Sequence, residues 1–144
     1  MKQRAPIRLQ PDRKHKTTWQ HFFTGFRYAF EGVRYAFLTQ FNLRFHLAIA
    51  ILVCLAAIFL HVTNLEFVIL LLVIFAVLVA EMFNTAIEAI VDLASPNYHR
   101  LAKIAKDVAA GAVLLQAILA VLVGILVLGP HLWLFLSNFL PFHH

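Results

Sequence analysis

The chain has 144 residues, 62% of them hydrophobic and only 13% charged, with a mean hydropathy of +0.82. A soluble domain is about half apolar and about a quarter charged, so this composition excludes an ordinary soluble enzyme and points to a single membrane domain. The formal net charge of +5 sits in a few clusters rather than along the whole chain.

Residues 1–17 carry Lys2, Arg4, Arg8, Arg13, Lys14 and Lys16 against the single acid Asp12. This reads as a flexible basic tail drawn to anionic lipid headgroups, at roughly 1 kcal/mol per cation near the surface. No nucleic-acid partner is expected. It is no signal peptide either, because no compact apolar core or small-residue cleavage site follows the basic residues.

Residues 18–40 place Trp19, Phe22, Phe23, Phe26, Phe30, Val33 and Phe37 at helical spacing opposite His21, Arg27, Glu31 and Arg34. Such a pattern predicts an amphipathic helix lying in the membrane interface. Arg27-Tyr-Ala-Phe30 recurs as Arg34-Tyr-Ala-Phe37, an echo within one helix rather than a repeat architecture.

Three helices follow, over residues 43–62, 65–92 and 96–128, each with an apolar stretch of the ~20 residues that a ~30 Å hydrocarbon core requires. The fold class expected is therefore all-α integral membrane, with residues 18–128 as the membrane domain. The twelve Lys and Arg fall before residue 45 or between Arg100 and Lys106, and cations stay on the cytoplasmic side. The N-terminus and the loop between the second and third spans are then inside, and the C-terminus outside. Ser95-Pro96 reads as an N-cap followed by proline in the first turn of the third helix. Small residues from Ala109 to Ala112 allow close helix packing just after it. Beyond Gly129-Pro130, residues 129–144 read as an outer-face tail, with Trp133, Phe135 and Phe139 in an interfacial belt and His143-His144 at its end. The lone Cys54 lies in the first span and is read as a packing residue.

The second span ends in Glu81-Met-Phe-Asn84-Thr-Ala-Ile-Glu88-Ala-Ile-Val-Asp92. With Glu81 at zero, Asn84, Glu88 and Asp92 lie at about −60°, −20° and +20° around a helix, on one face. An acid at membrane depth is costly unless paired, hydrated or bound to a cation. A span entering near residue 65 reaches the inner boundary at about Asn84, which puts Glu81 among headgroups and Glu88 ~10 Å further toward the cytoplasm. A carboxylate at headgroup depth suits removal of a lipid hydroxyl proton, and a deeper one suits a divalent cation. Lys103 and Lys106 face phosphate in this reading, with Asp107 orienting a lysine or assisting a metal. Phosphoryl transfer needs positioning and charge neutralisation more than a glycine-rich loop, which this chain lacks. His46 and His61, at opposite ends of the first span, are read as interfacial, with no metal.

The acidic run, together with Tyr98-His99 and Ala105-Lys106-Asp107-Val-Ala-Ala-Gly-Ala, resembles the signature of the small prokaryotic diacylglycerol kinase and undecaprenol kinase family. The resemblance implies a homotrimer of three-span protomers with active sites shared at the cytoplasmic interface. It implies Glu81 as general base, Glu88 as the ligand of Mg²⁺ carried with ATP, and Asn84, Asp92, Lys106 and Asp107 completing the site. Tyr28, Asn97, Tyr98 and His99 are implied as nucleotide contacts. The implied activity is transfer of the γ-phosphate of ATP to the primary hydroxyl of a membrane lipid, undecaprenol or diacylglycerol, in a bacterial inner membrane. The run Ala-Lys-Asp-Val-Ala-Ala-Gly-Ala-Val is closer to the undecaprenol kinase branch.

One position departs from the family pattern. A second metal-binding glutamate usually stands before the first span, where this chain reads Gln40-Phe-Asn42-Leu-Arg44. A glutamine carbonyl still coordinates Mg²⁺ but contributes no charge, so weaker metal binding or partial compensation by Glu31 is expected. Two other readings stay open at this point. One is a catalytically silent relative serving a structural or lipid-sensing role, which Gln40 favours. The other is an ion- or proton-conducting bundle, which the wholly apolar run 67–80 disfavours.

Overall fold

The computed structural model describes residues 18–139. The basic tail over 1–17, the terminal His143-His144, and the side chains of His21, Phe22 and Phe139 lie outside that description. The described residues form four helices: α1 (Thr18–Thr39), α2 (Phe41–Phe59), α3 (Asn64–Ala94) and α4 (Arg100–Phe139). The last three are long and apolar enough to cross a membrane. The described residues divide into two units, with the boundary inside α1 between Gly32 and Val33.

In the first unit, Arg27 pairs with Glu31 one turn on, at 3.5 Å, and its guanidinium lies 5.3 Å from the centre of the Tyr28 ring. In the second unit, Gln40 adopts extended backbone angles (φ −101°, ψ 117°) ahead of α2, so the chain leaves α1 and restarts within one residue.

The α2–α3 turn is closed by local hydrogen bonding. His61 adopts a left-handed φ of 54°, its N–H donates to the Ile58 carbonyl, and the Val62 N–H donates to Ala57, both at 3.2 Å. This is the Schellman arrangement, which satisfies carbonyls that a helix end otherwise leaves unpaired. Thr63 then caps α3. Its hydroxyl accepts from the Glu66 N–H, and the Glu66 carboxylate accepts from the Thr63 N–H, the reciprocal pair of a capping box.

The two ends of α4 differ most from the sequence expectation. Ser95 does not cap α4: its N–H makes the closing bond of α3 to Val91, and its hydroxyl donates to the Asn97 carbonyl. With Ser95 engaged in those bonds, α4 begins only at Arg100, where the His99 ring accepts from the Leu101 N–H through Nδ1 at 3.2 Å. At the other end, Gly129-Pro130 does not stop the helix, which continues to Phe139. Proline costs α4 one backbone bond, but tertiary contacts hold the segment beyond it. His131 Nε2 lies 3.2 and 3.1 Å from the two Glu66 carboxylate oxygens. Phe135 packs edge-on against Phe59 of α2, with ring centres 5.3 Å apart, while Trp133 is exposed.

Packing is strongest between α3 and α4, with α2 laid against α3. The helices α3 and α4 run antiparallel: Glu66 meets His131 at one end of the pair, and Asp92 meets Lys106 at the other. Ala57, Leu70 and Val127 form the buried core near the α2–α3 turn, flanked by Val53, Phe67 and Val123. Buried alanines at 36, 50, 57 and 109 mark where small side chains let backbones approach. Cys54 is a free, half-buried thiol on α2.

Candidate active site

The acidic stripe is real in three dimensions. α3 is a continuous helix from Asn64 to Ala94, so Glu81, Asn84, Glu88 and Asp92 share one face, and their burial falls along it. Glu81 is 2% exposed and Asn84 7%, Glu88 is half-buried and Asp92 exposed. The gradient follows the packing: α2 covers the Glu81 end through His46, while the Asp92 end meets Lys106 of α4 at the surface.

Each polar group along the stripe has a specific surrounding. His46 on α2 brings Nε2 to 3.2 Å from Glu81 Oε1. Thr85 is also buried, and its hydroxyl donates to the Glu81 backbone carbonyl at 2.9 Å, which keeps that hydroxyl satisfied one turn on. Asn84 Nδ2 donates to Glu88 Oε1 at 2.9 Å, while Gln40 Nε2 approaches Glu88 Oε2 at 3.4 Å. Glu88 is thus bracketed by two amides, one from its own helix and one from the residue preceding α2. Asn84 Oδ1 is buried with no hydrogen-bond partner.

At the end of the stripe, Lys106 Nζ on α4 lies 2.6 Å from Asp92 Oδ1. Lys103 and Asp107, a turn apart on the same helix, pair at 2.7 Å on an exposed surface, so Asp107 orients Lys103 rather than Lys106. A cleft of about 300 Å³ opens beside these pairs, lined by Asp92, Asn97, Tyr98, His99, Lys103, Lys106 and Asp107 among others. It gathers six of the residues expected to form the polar part of the site, with Lys103 added. A second cavity, of about 720 Å³, is almost wholly apolar and runs between α2, α3 and α4 from Phe45 and His46 to Leu132. Tyr28 belongs to the N-terminal unit, as does Glu31, whose partner there is Arg27.

The donor atoms fit Mg²⁺ on chemical grounds. Asn84 on the stripe and Gln40, just before α2, both reach the Glu88 carboxylate through their amide nitrogens, and all three side chains carry hard oxygen donors of the kind that ion prefers, Asn84 Oδ1 being without a partner. No cluster of three or more His, Cys, Asp or Glu occurs among the described residues. The set therefore fits an ion delivered with phosphate oxygens rather than one caged by protein alone.

Two participants are not visible in the sequence. His46 lacks any motif of its own; the signal available is that a buried Glu81 demands a partner. His131 lies beyond a Gly-Pro pair that reads as a helix stop, which hides its pairing with Glu66 on the far end of α3.

Three apolar spans with a graded acid stripe opposite α4 lysines define an all-helical, multi-pass membrane protein with a polar site at one end of the bundle. Comparison with known proteins then fixes the lineage. The family model for prokaryotic diacylglycerol kinase matches residues 27–128. The chain is 48% identical over 121 residues to a diacylglycerol kinase of Synechocystis, covering 81% of this chain and 69% of that protein. It is 36% identical over 118 residues to the undecaprenol kinase of Bacillus subtilis, covering 82% and 96%. With the diacylglycerol kinase of Escherichia coli it shares 33% identity over 104 residues, covering 72% and 85%. The chain belongs to the prokaryotic diacylglycerol kinase family, and is a phosphotransferase with an alcohol group as acceptor.

Proposed function

We propose that this protein is an ATP-dependent lipid kinase that transfers the γ-phosphate of MgATP to the primary hydroxyl of undecaprenol or diacylglycerol at the cytoplasmic face of a bacterial inner membrane. The observation that carries this reading is the burial gradient along α3, from Glu81 at 2% exposure to the solvated Asp92–Lys106 pair. A lipid hydroxyl and a water-soluble nucleotide then approach one helix face from opposite directions.

In this reading Glu81 takes the proton from the acceptor hydroxyl. Glu88, with Asn84 and Gln40, holds Mg²⁺, which supplies charge neutralisation on the transferring phosphoryl group. Lys106 answers the same negative charge from α4, and Asp92 fixes its ammonium at 2.6 Å. Asn97, Tyr98 and His99 contact nucleotide, and Asp107 positions Lys103 at the cleft. Gln40 donates to Glu88 where a second acid would repel it, so the ion is held by one full charge and the rate requires more Mg²⁺.

The protein acts as a homotrimer with residues 18–40 as an interfacial helix, residues 1–17 on anionic lipid, the N-terminus cytoplasmic and the C-terminus outside. Large apolar side chains on α2 to α4, such as Leu52, Phe75 and Leu122, are more than half exposed in the single chain, which supports contact with lipid and with neighbouring subunits. The test is phosphotransfer by purified, reconstituted protein given MgATP and, separately, undecaprenol, diacylglycerol and ceramide. Phosphorylated undecaprenol or diacylglycerol is the expected product, and no product with any of the three refutes the reading.

A further inference from the structure

Among the described residues Glu81 is the one charged side chain in the buried class. Its polar neighbours are mostly committed elsewhere. The Asn84 amide donates to Glu88, and the Thr85 hydroxyl donates to the Glu81 backbone carbonyl. What remains is the His46 ring, with Nε2 at 3.2 Å from Oε1. With Glu81 ionised, as its reading as a base requires, Nε2 carries the hydrogen at that separation, because a bare ring nitrogen would set its lone pair against those of the carboxylate.

The contact crosses from α2 to α3, so it ties the carboxylate to a second helix. A glutamate has three rotatable bonds, and a base must sit within about 2.6–3.2 Å of the proton it removes. Occupation of Oε1 by His46 leaves Oε2 for that proton and limits the rotation of the group. The imidazole itself is about one-quarter exposed, at 24% against 3% for the Glu81 side chain, and it lines the apolar cavity. His46 therefore brings a polar group to the wall of a space suited to hydrocarbon.

We propose that His46 is a positioning residue for the transfer reaction: its Nε2–H holds Oε1 of Glu81 and leaves the second carboxylate oxygen aimed at the acceptor hydroxyl. This rests on the reading of Glu81 as general base. The reconstituted full chain is assayed as wild type, His46→Leu, His46→Gln and Glu81→Gln, with kcat and the KM for MgATP measured for each and assembly checked by size and melting temperature. His46→Leu is expected to lower kcat by about tenfold to a hundredfold, the scale set by a misplaced catalytic group, with the KM for MgATP unchanged. His46→Gln, whose amide N–H reaches toward the same oxygen, restores most of that loss. If leucine disturbs the fold, His46→Asn, whose donor is too short to reach, replaces it as the comparison. Wild-type kcat in the variant lacking the donor overturns the proposal. So does equal loss in the glutamine and leucine variants with assembly intact, since the ring would then carry the proton rather than orient its acceptor. Turnover retained by Glu81→Gln refutes the base reading itself, whereas an inactive Glu81→Gln beside a fully active His46→Leu refutes only the role of His46.

Discussion

At the scale of single residues, the stripe on α3 was legible because helical periodicity alone sets it. Glu81, Asn84, Glu88 and Asp92 fall on one face in any straight helix. Their partners were not legible, because which α2 or α4 side chain arrives opposite each one depends on how the helices pack. His46 and Gln40 reach α3 only through the antiparallel seating of α2. The residue roles give two predictions. Glu81→Gln should lower kcat by about 10²-fold or more, the range of a lost general base, while the protein keeps its assembly and MgATP binding. Gln40→Glu should shift the Mg²⁺ dependence of the rate to lower concentration, because a second charge joins Glu88; an unchanged Mg²⁺ titration contradicts the proposed metal site.

At the scale of elements, the spans were legible and their ends were not. Runs of twenty apolar residues require α2 to α4, but Ser95-Pro96 and Gly129-Pro130 mislead because local signals yield to bonds made with other parts of the chain. Ser95 is taken by the end of α3, and the segment after Pro130 is fastened by His131 and Phe135. The α2–α3 turn offers a direct check on this local chemistry. Left-handed backbone costs a residue with a Cβ about 1–2 kcal/mol, so His61→Gly should raise the unfolding temperature and His61→Val lower it. Thr63→Ala removes the hydroxyl that accepts from Glu66 and should cost about 1 kcal/mol of stability, as loss of an N-cap does. Identical melting temperatures across these variants would show that the turn does not contribute to stability as described.

At the scale of the whole molecule, composition carries the class, similarity to known proteins carries the family, and cation placement supports the proposed topology. The proposed assembly is not written in one chain's periodicity, because lipid and a neighbouring subunit would both be met by apolar helix faces. The proposed topology predicts that, in a Cys54→Ala background, a cysteine placed in the α3–α4 loop reacts only from the cytoplasmic side. One placed near residue 137 should react only from outside, and the reverse pattern contradicts the assignment. The central claim is that one helix face joins a lipid hydroxyl to a nucleotide, and its most direct measurement is transfer of labelled γ-phosphate from ATP in reconstituted vesicles. Labelled undecaprenyl phosphate or phosphatidic acid from the wild type, with none from Glu81→Gln, is the predicted result; label transfer that persists in Glu81→Gln, or lipid that stays unlabelled with the wild type, contradicts it.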